Sequence, residues 1–128
     1  MNCIDLEGLL EIHVLVIQET GGSDGIRDLG RLESALATQT QVVFGEELYS
    51  TIFAKAAALM RAIIADHAFV DGNKRTGTLA ALTFVEKNGY HIDFQEGEVE
   101  NFAVKVATDK LDVPVIASWL EEHSKKVG

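Results

Sequence analysis

Hydrophobic residues recur at helical spacing in two stretches of the N-terminal part of the chain. The first stretch spans residues 5–20, begins at Asp5, a common type of N-terminal cap, and is followed by two glycines. The residues that recur at this spacing are Leu6, Leu9, Leu10, His13, Val14 and Ile17. The second stretch spans residues 29–38 and follows Asp28, another suitable cap. The spacing predicts two helices joined by a connection rich in glycine and aspartate.

The middle of the chain carries the longest hydrophobic pattern. Apolar residues form a broad helical face over 50–66, and the same period returns over 76–87, where an Asn-Gly pair provides a stop. Residues 67–72 separate the two stretches, and Asn73 or a neighbour is suited to cap the second one. We therefore expect two long central helices joined by a six-residue loop.

The C-terminal part of the chain predicts a short extended segment and two closing helices. Residues 90–94 alternate between apolar and polar, which is enough for one arm of a hairpin but not for a sheet. Helical periods follow around 102–107 and over 114–125, the latter after Asp112 as cap. The whole pattern predicts an all-α protein: one compact bundle of about six helices, in a single domain spanning residues 1–128.

Composition narrows the class of protein. Hydrophobic residues make up 47% of the chain and charged residues 24%, which is ordinary for a globular protein. Eleven basic residues against twenty acidic ones give a net charge of −9, so we expect neither nucleic-acid nor membrane binding, because both need a basic surface. The most apolar stretch, 52–65, is interrupted by Lys55 and Arg61 and is too short to span a membrane. With one cysteine, Cys3, and an acidic N-terminal segment, a cytoplasmic protein without disulfides is expected.

Lys74 and Arg75 stand where helices normally avoid cations. Both fall in the first turn of the predicted fourth helix, where the dipole disfavours each positive charge by roughly 0.3–1 kcal/mol. A bound anion would remove this conflict, because the free backbone N–H groups after Gly72 and both cations would contact it. Conflicts of this kind are typical of functional sites. The sequence therefore predicts a phosphate-binding site made by Gly72, Asn73, Lys74 and Arg75.

Two further residues of the same segment suit phosphate chemistry. Asp71 could bind Mg²⁺ against phosphate oxygens, and His67 could accept the proton of a hydroxyl. The charge distribution agrees, because residues 55–87 carry five basic and three acidic residues within an otherwise strongly acidic chain. Such a set suits phosphoryl or nucleotidyl transfer, in which catalysis is mostly positioning and charge neutralisation.

These residues also have structural interpretations. His67 could end the preceding helix as a cap, the Asp71-Gly72 pair is common in turns, and Phe69 is expected to anchor the loop in the core. Other classes of site lack their motifs. A P-loop needs glycine where Asn73 precedes Lys74, and the four histidines are too far apart for structural zinc.

The string His67-Ala68-Phe69-Val70-Asp71-Gly72-Asn73-Lys74-Arg75 resembles the signature of the Fic/Doc superfamily, and within it the Doc branch of death-on-curing toxins. The resemblance extends to the Gly21–Asp28 segment, the Leu32–Leu36 run and the Asn88–Tyr90 segment, and so covers nearly the whole chain. It implies that His67 is the general base on a target hydroxyl and that Asp71 is the Mg²⁺ ligand. It further implies that Gly72 and Asn73 form the anion-binding turn, while Lys74 and Arg75 contact phosphate.

Two positions bear on the kind of group transferred. AMP-transferring Fic proteins usually carry glycine at the position of Lys74 and a second arginine at the position of Thr78, and this chain has neither. Doc-type members with the present pattern resemble kinases that move the γ-phosphoryl group of ATP to a hydroxyl of elongation factor Tu and halt protein synthesis. The resemblance thus implies ATP and Mg²⁺ as cofactors and elongation factor Tu as target.

The chain departs from the family pattern at two places and lacks one regulatory element. Ala68 stands where many relatives have proline, which should loosen the loop without removing a reacting group. Residues 38–41 stand where Doc-like sequences often show Arg-Pro-Gln. The inhibitory helix motif of many Fic proteins is absent from the sequence, so the resemblance implies restraint by a separate antitoxin that folds on binding.

The pattern leaves three functions open. The first is a phosphotransferase toxin that uses ATP and Mg²⁺. The second is an AMP-transferase, which differs in the phosphorus atom that faces His67. The third is a catalytically inactive helical module that binds a partner through the anion site. No oligomeric state is indicated.

Overall fold

The computed structural model describes residues 1–127 and is built mainly from helices. Helices over this range are α1 (Leu6–Thr20), α2 (Leu29–Ala37), α3 (Ile52–Asp66), α4 (Asn73–Lys87), α5 (Glu98–Asp109) and α6 (Val113–Glu122). Short strands pair antiparallel in two sheets, β1 (Val42–Val43) with β2 (Glu46–Glu47) and β3 (Tyr90–Ile92) with β4 (Ser124–Lys126). The predicted all-α class with about six helices is confirmed. None of the helices in residues 1–127 is long and apolar enough to cross a membrane.

The two central helices, α3 and α4, pack against each other as the hydrophobic pattern predicts. Gly77 allows them to approach closely. A Cβ atom at this position would lie 2.9 Å from Cγ1 of Ile64 and 3.1 Å from the carbonyl oxygen of Met60. Helices α2, α5 and α6 also contact α3, so that α3 is the most deeply buried element of the core.

Helix α1 packs against α4 and begins at its predicted cap, where a side-chain oxygen of Asp5 accepts a hydrogen bond from the Gly8 N–H at 2.8 Å. Its buried face differs from the prediction in one respect. Val14 was expected in the core but is 40% exposed, whereas Val16 is buried. Val14 is exposed because α1 turns a different face towards α4. The buried residues of α1 are Leu9, His13 and Val16.

The C-terminal segment corrects the prediction of a helix through Lys125. Helix α6 ends at Glu122, and β4 then pairs with β3 so that Lys125 lies opposite His91. The carbonyl oxygen of His123 accepts a hydrogen bond from the Asp93 N–H at 2.7 Å, at the point where the pairing begins. A local helical period does not show whether a segment pairs with a strand distant in sequence, so the pairing of β4 with β3 was not predicted.

A buried lysine links the β1–β2 hairpin to α3. Nζ of Lys55 donates hydrogen bonds to the carbonyl oxygen of Gln39 at 2.9 Å and to Oε1 of Glu47 at 3.0 Å, and its side chain is 4% exposed. These partners explain how a charge interrupts the most apolar stretch of the chain, because a buried charge is tolerated only when it is paired. The hairpin was not predicted, since residues 39–47 carry no sustained period.

Candidate functional site

The loop of residues 67–72, here called the signature loop, leaves α3 through a left-handed turn at His67. With φ 48° and ψ 53°, His67 is the C-terminal cap residue of α3, as one of its sequence interpretations predicts. A non-glycine residue in this conformation costs on the order of 1–3 kcal/mol and is frequent at functional sites. The residue is exposed, so its imidazole is accessible at the end of the helix.

The connection between α1 and α2, residues 21–28 and here called the brace segment, holds the signature loop through the backbone. The N–H groups of Arg27 and Asp28 both donate to the carbonyl oxygen of Ala68, at 2.8 and 3.1 Å. Ala68 itself is fully buried. Two of the segments that carry the family resemblance, far apart in sequence, thus form one structural unit.

Asn73 closes the signature loop from the side of α4. Its Oδ1 accepts a hydrogen bond from the Phe69 N–H, and its Nδ2 donates to the Phe69 carbonyl oxygen, both at 2.9 Å. The Asn73 side chain is therefore used by the loop backbone. Only its backbone N–H is suited to the predicted anion.

His13 of α1 also supports the signature loop. Its Nε2 donates a hydrogen bond to the carbonyl oxygen of Asp71 at 2.9 Å, and its ring stacks on Phe69 with 3.8 Å between ring centroids and 7° between planes. Phe69 is fully buried, so its predicted role as an anchor is confirmed. His13 was assigned only to the apolar face of the first helix. The one available signal was a polar residue at a core position.

Gly72 begins α4 in a conformation that favours glycine, with φ 79° and ψ 16°. A Cβ atom there would lie 3.2 Å from Cδ1 of Ile17 and 3.3 Å from Cγ1 of Val16. No side chain caps the helix, and the Thr76 N–H donates to the Gly72 carbonyl oxygen at 2.9 Å. The N–H groups of the preceding turn have no helical acceptor, which is the usual arrangement of an anion site at a helix N-terminus.

Lys74 and Arg75 lie in the first turn of α4, as predicted, and both are exposed. Nη2 of Arg75 is 3.9 Å from Oε1 of Glu19, at the end of α1, so that Arg75 is partly neutralised. Lys74 forms no ion pair within residues 1–127. The hydroxyl of Thr76 is buried and has no hydrogen-bond partner in that range. In the described residues, the first turn of α4 thus has an ammonium group without an ion pair and a buried hydroxyl without a hydrogen-bond partner.

A cavity of about 440 Å³ brings His67 and Lys74 together. It lies between the end of α3, the start of α4 and the turn from α5 to α6. Its lining residues are Arg61, Ile64, Ala65, His67, Lys74, Val106, Ala107, Lys110 and Leu111. Arg61 and Lys110 were not predicted as site residues. Arg61 lies only six positions before His67 but falls within the apolar pattern of α3, and Lys110 is a single charge far from the signature loop in sequence. We call this space the basic cavity.

The carboxylate of Asp71 contacts the brace segment instead of lining the basic cavity. Its Oδ2 accepts a hydrogen bond from the Ser23 N–H at 2.8 Å. Residues 1–127 contain no group of three His, Cys, Asp or Glu side chains that could hold a metal ion by themselves. Mg²⁺ commonly binds through one or two carboxylates together with substrate phosphates. The exposed Asp71 fits an ion held in that way and does not fit an ion held by protein alone.

The fold and the site define a helical domain in which a histidine-bearing loop leads into an uncapped, basic helix start. The model of the Fic/DOC family matches residues 3–85, and the chain belongs to this family. Among curated proteins, Toxin Doc of Mycolicibacterium smegmatis is 40% identical over 102 residues, or 78% of each chain. Protein kinase doc of Escherichia phage P1 is 32% identical over 120 residues, or 94% of each chain. The resemblance to the Doc branch is thereby confirmed.

Proposed function

We propose that this protein is the toxin of a toxin–antitoxin pair and transfers the γ-phosphoryl group of ATP to a hydroxyl of elongation factor Tu. The observation that carries the proposal is the placement of His67 and Lys74 in one basic cavity at the start of α4. The names of the two relatives, a toxin and a protein kinase, support the two halves of the proposal.

The residues of the site have separate roles in this proposal. His67 accepts the proton of the target hydroxyl while that oxygen attacks the γ-phosphorus, the bond from this phosphorus to the β–γ bridging oxygen breaks, and ADP leaves. The exposure of His67 lets a protein substrate reach it. Lys74, Arg75 and the N–H groups of the first turn of α4 hold the phosphate chain. Asp71 would hold Mg²⁺, which when bound neutralises charge on the phosphate oxygens.

Thr78 favours phosphate transfer over AMP transfer. AMP-transferring relatives are expected to carry a second arginine here, to hold a further phosphate. In this chain the position is 4% exposed, and the Thr78 hydroxyl donates to the carbonyl oxygen of Lys74 at 2.8 Å. A small neutral side chain thus occupies a buried position and offers no charge to a nucleotide.

The proposed antitoxin would need exposed apolar surface on which to fold. The outer face of α1 offers such a surface, since Leu15 is 63% and Val14 is 40% exposed beside the acidic Glu7 and Glu11. A segment that folds on binding can cover such a helix face with a hydrophobic stripe of its own. Co-expression with the neighbouring open reading frame should restore growth to cells that this protein arrests.

Mass spectrometry of elongation factor Tu after incubation with the protein, ATP and Mg²⁺ tests the reaction. Addition of phosphate supports the proposal, and addition of AMP would replace it with the alternative reaction. Asp71→Asn is a matched variant, because an amide oxygen can still accept from the Ser23 N–H while the charge that attracts Mg²⁺ is lost. We expect this variant to fold and to lose Mg²⁺-dependent transfer.

A further inference from the structure

The basic cavity has two further cationic residues that do not belong to α4. Arg61 comes from α3, and Lys110 is the C-terminal cap residue that follows α5. With His67 and Lys74 they are the titratable side chains that line the cavity, and no carboxylate lines it, although the chain carries a net charge of −9. Cations that converge in this way repel one another, and a bound anion offsets that repulsion.

We propose that Arg61 and Lys110 bind the part of a polyphosphate chain that the start of α4 does not hold. This inference rests on the proposed nucleotide site and adds two cationic residues to it. One phosphate group can be held at the helix start by Lys74 and backbone N–H groups. Arg61 and Lys110, which lie on α3 and at the α5–α6 turn, gain their contacts from a longer chain, so the cavity should favour di- and triphosphates over monophosphates.

The contacts of Arg61 direct its guanidinium towards the turn that carries Lys110. Its Nε donates to the carbonyl oxygen of Leu111 at 3.2 Å, and its Nη2 lies 3.6 Å from Oδ1 of Asp112. Asp112 is 78% exposed, so the ion pair is well screened by water and neutralises Arg61 only in part. A guanidinium has five N–H donors, and those outside these two contacts are available to an anion.

Lys110 provides a clearer test of the proposed polyphosphate contacts than Arg61 does. It forms no ion pair within residues 1–127, so its removal breaks no described charge contact. Its backbone is left-handed, with φ 51° and ψ 53°. Asparagine adopts that conformation more readily than most residues, so Lys110→Asn removes the charge while keeping the turn.

The experiment is calorimetric titration of the whole protein with Mg²⁺–ATP, inorganic tripolyphosphate and AMP. We expect Lys110→Asn to weaken ATP and tripolyphosphate binding by about tenfold, as for loss of one charge-assisted contact, and AMP binding by less than about twofold. Lys110→Arg should bind as the unchanged protein does. Arg61→Lys should retain more tripolyphosphate affinity than Arg61→Gln, although both lose the bond to Leu111.

Lys105→Asn is the matched control, because Lys105 is an exposed lysine of α5 that lines a different groove, between α5 and α6. An equal loss in Lys105→Asn and Lys110→Asn would overturn the inference, since net charge alone would then explain it. Full affinity in Lys110→Asn with loss in Lys74→Ala would also overturn it, while leaving the nucleotide site intact. If the unchanged protein bound neither ATP nor tripolyphosphate, the proposed function would fail together with the inference.

Discussion

The ring of His13 and the carbonyl oxygen of Asp71 are joined by a 2.9 Å hydrogen bond, although 58 positions separate the two residues in sequence. The bond links α1 to the signature loop, and the stacking of the same ring on Phe69 fixes its orientation. His13 is 2% exposed, so water cannot readily replace it as donor. The position of Asp71 therefore depends on a helix that contributes no reacting group.

Replacing His13 with leucine should lower both stability and activity. The Asp71 carbonyl oxygen would lose its buried donor, at a cost of about 1–3 kcal/mol in the free energy of unfolding. His13→Gln, which keeps an N–H donor, should recover part of both losses. Urea unfolding and a phosphate-transfer assay measure the two effects. Equal activity in the two variants, at equal folded fraction, would show that the hydrogen bond does not position the site.

His67→Asn should separate catalysis from folding. Asparagine accepts the left-handed backbone of a helix cap but cannot act as a base, so the free energy of unfolding should hardly change. Turnover should fall by roughly 10²- to 10⁴-fold if the imidazole is the general base, with nucleotide affinity retained. An unchanged rate of target modification in this variant would remove His67 from the reaction.

Lys74→Ala should weaken nucleotide binding and slightly raise stability in the absence of ligand. The lysine opposes the helix dipole in the first turn of α4, so its removal is worth about 0.3–1 kcal/mol in unfolding free energy. Lys87, in the last turn of the same helix, is the control of opposite sign, because a cation is favourable there. Thermal unfolding of Lys74→Ala and Lys87→Ala without ligand should shift the melting temperature in opposite directions. A lower melting temperature for both would contradict the dipole argument.

Gly77→Ala should destabilise the central helix pair. The added methyl group would overlap Cγ1 of Ile64 and press on the Met60 carbonyl oxygen, and overpacking of this kind typically costs about 1–3 kcal/mol. Gly30→Ala is the matched control, since its Cβ would meet only the carboxylate end of Asp28. Denaturant unfolding should show a loss for Gly77→Ala and no comparable loss for Gly30→Ala. Similar values for the two would mean that helix propensity outweighs packing.

The ion pair of Glu98 and His123, at 2.9 Å, should make stability depend on pH. Hydrogen bonds from the Gln95 N–H and from His123 hold the pKa of Glu98 below 4.5. Burial alone would lower the pKa of His123, but the Trp119 carbonyl oxygen and Glu98 together raise it above 6.5. The folded state therefore holds the His123 proton more tightly than the unfolded chain does.

It follows that the contribution of His123 to the free energy of unfolding is complete below pH 6.5 and is lost as pH rises through the folded-state pKa of this residue. The contribution of Glu98 is present above pH 4.5 and is lost as pH falls through its own, lower folded-state pKa. The free energy of unfolding should drop more between about pH 6 and about pH 8 in the unchanged protein than in Glu98→Gln. Parallel pH profiles for the two proteins would contradict this.

The sequence predicted the elements whose stability is local. Helices α3 and α4 have long apolar faces, and the helix-breaking residues between them placed the six-residue loop correctly. The conflict between the helix dipole and the charges of Lys74 and Arg75 is also local, so the sequence alone indicated an unusual start of α4. The end of α6 was missed because β4 pairs with a strand distant in sequence, and the β1–β2 hairpin was missed because its residues carry no sustained period.

Only part of the candidate site could be predicted from the sequence, because some of its residues lie outside the signature string. His67 and Lys74 lie in one short string, but Lys110 joins them solely because α3 and α5 meet at the basic cavity. Arg61 is close to His67 along α3, where the sequence showed it only as an interruption of an apolar pattern. Nothing local distinguishes Lys110 from any other exposed lysine. The role of His13 was missed for another reason. It lies at a position that the helical period assigns to the core, and the sequence does not show that its side chain donates a hydrogen bond there.

The brace segment makes the reactive loop a product of long-range folding. A chain that lost residues 1–28 would keep every letter of the signature and yet lack the donors that hold Ala68 and Asp71 in place. Brief detachment of α1 would remove these donors without changing any residue of the signature loop. Under the proposed function, activity then depends on the integrity of residues 1–28, so weakening that region would yield an inactive protein that still carries an intact motif.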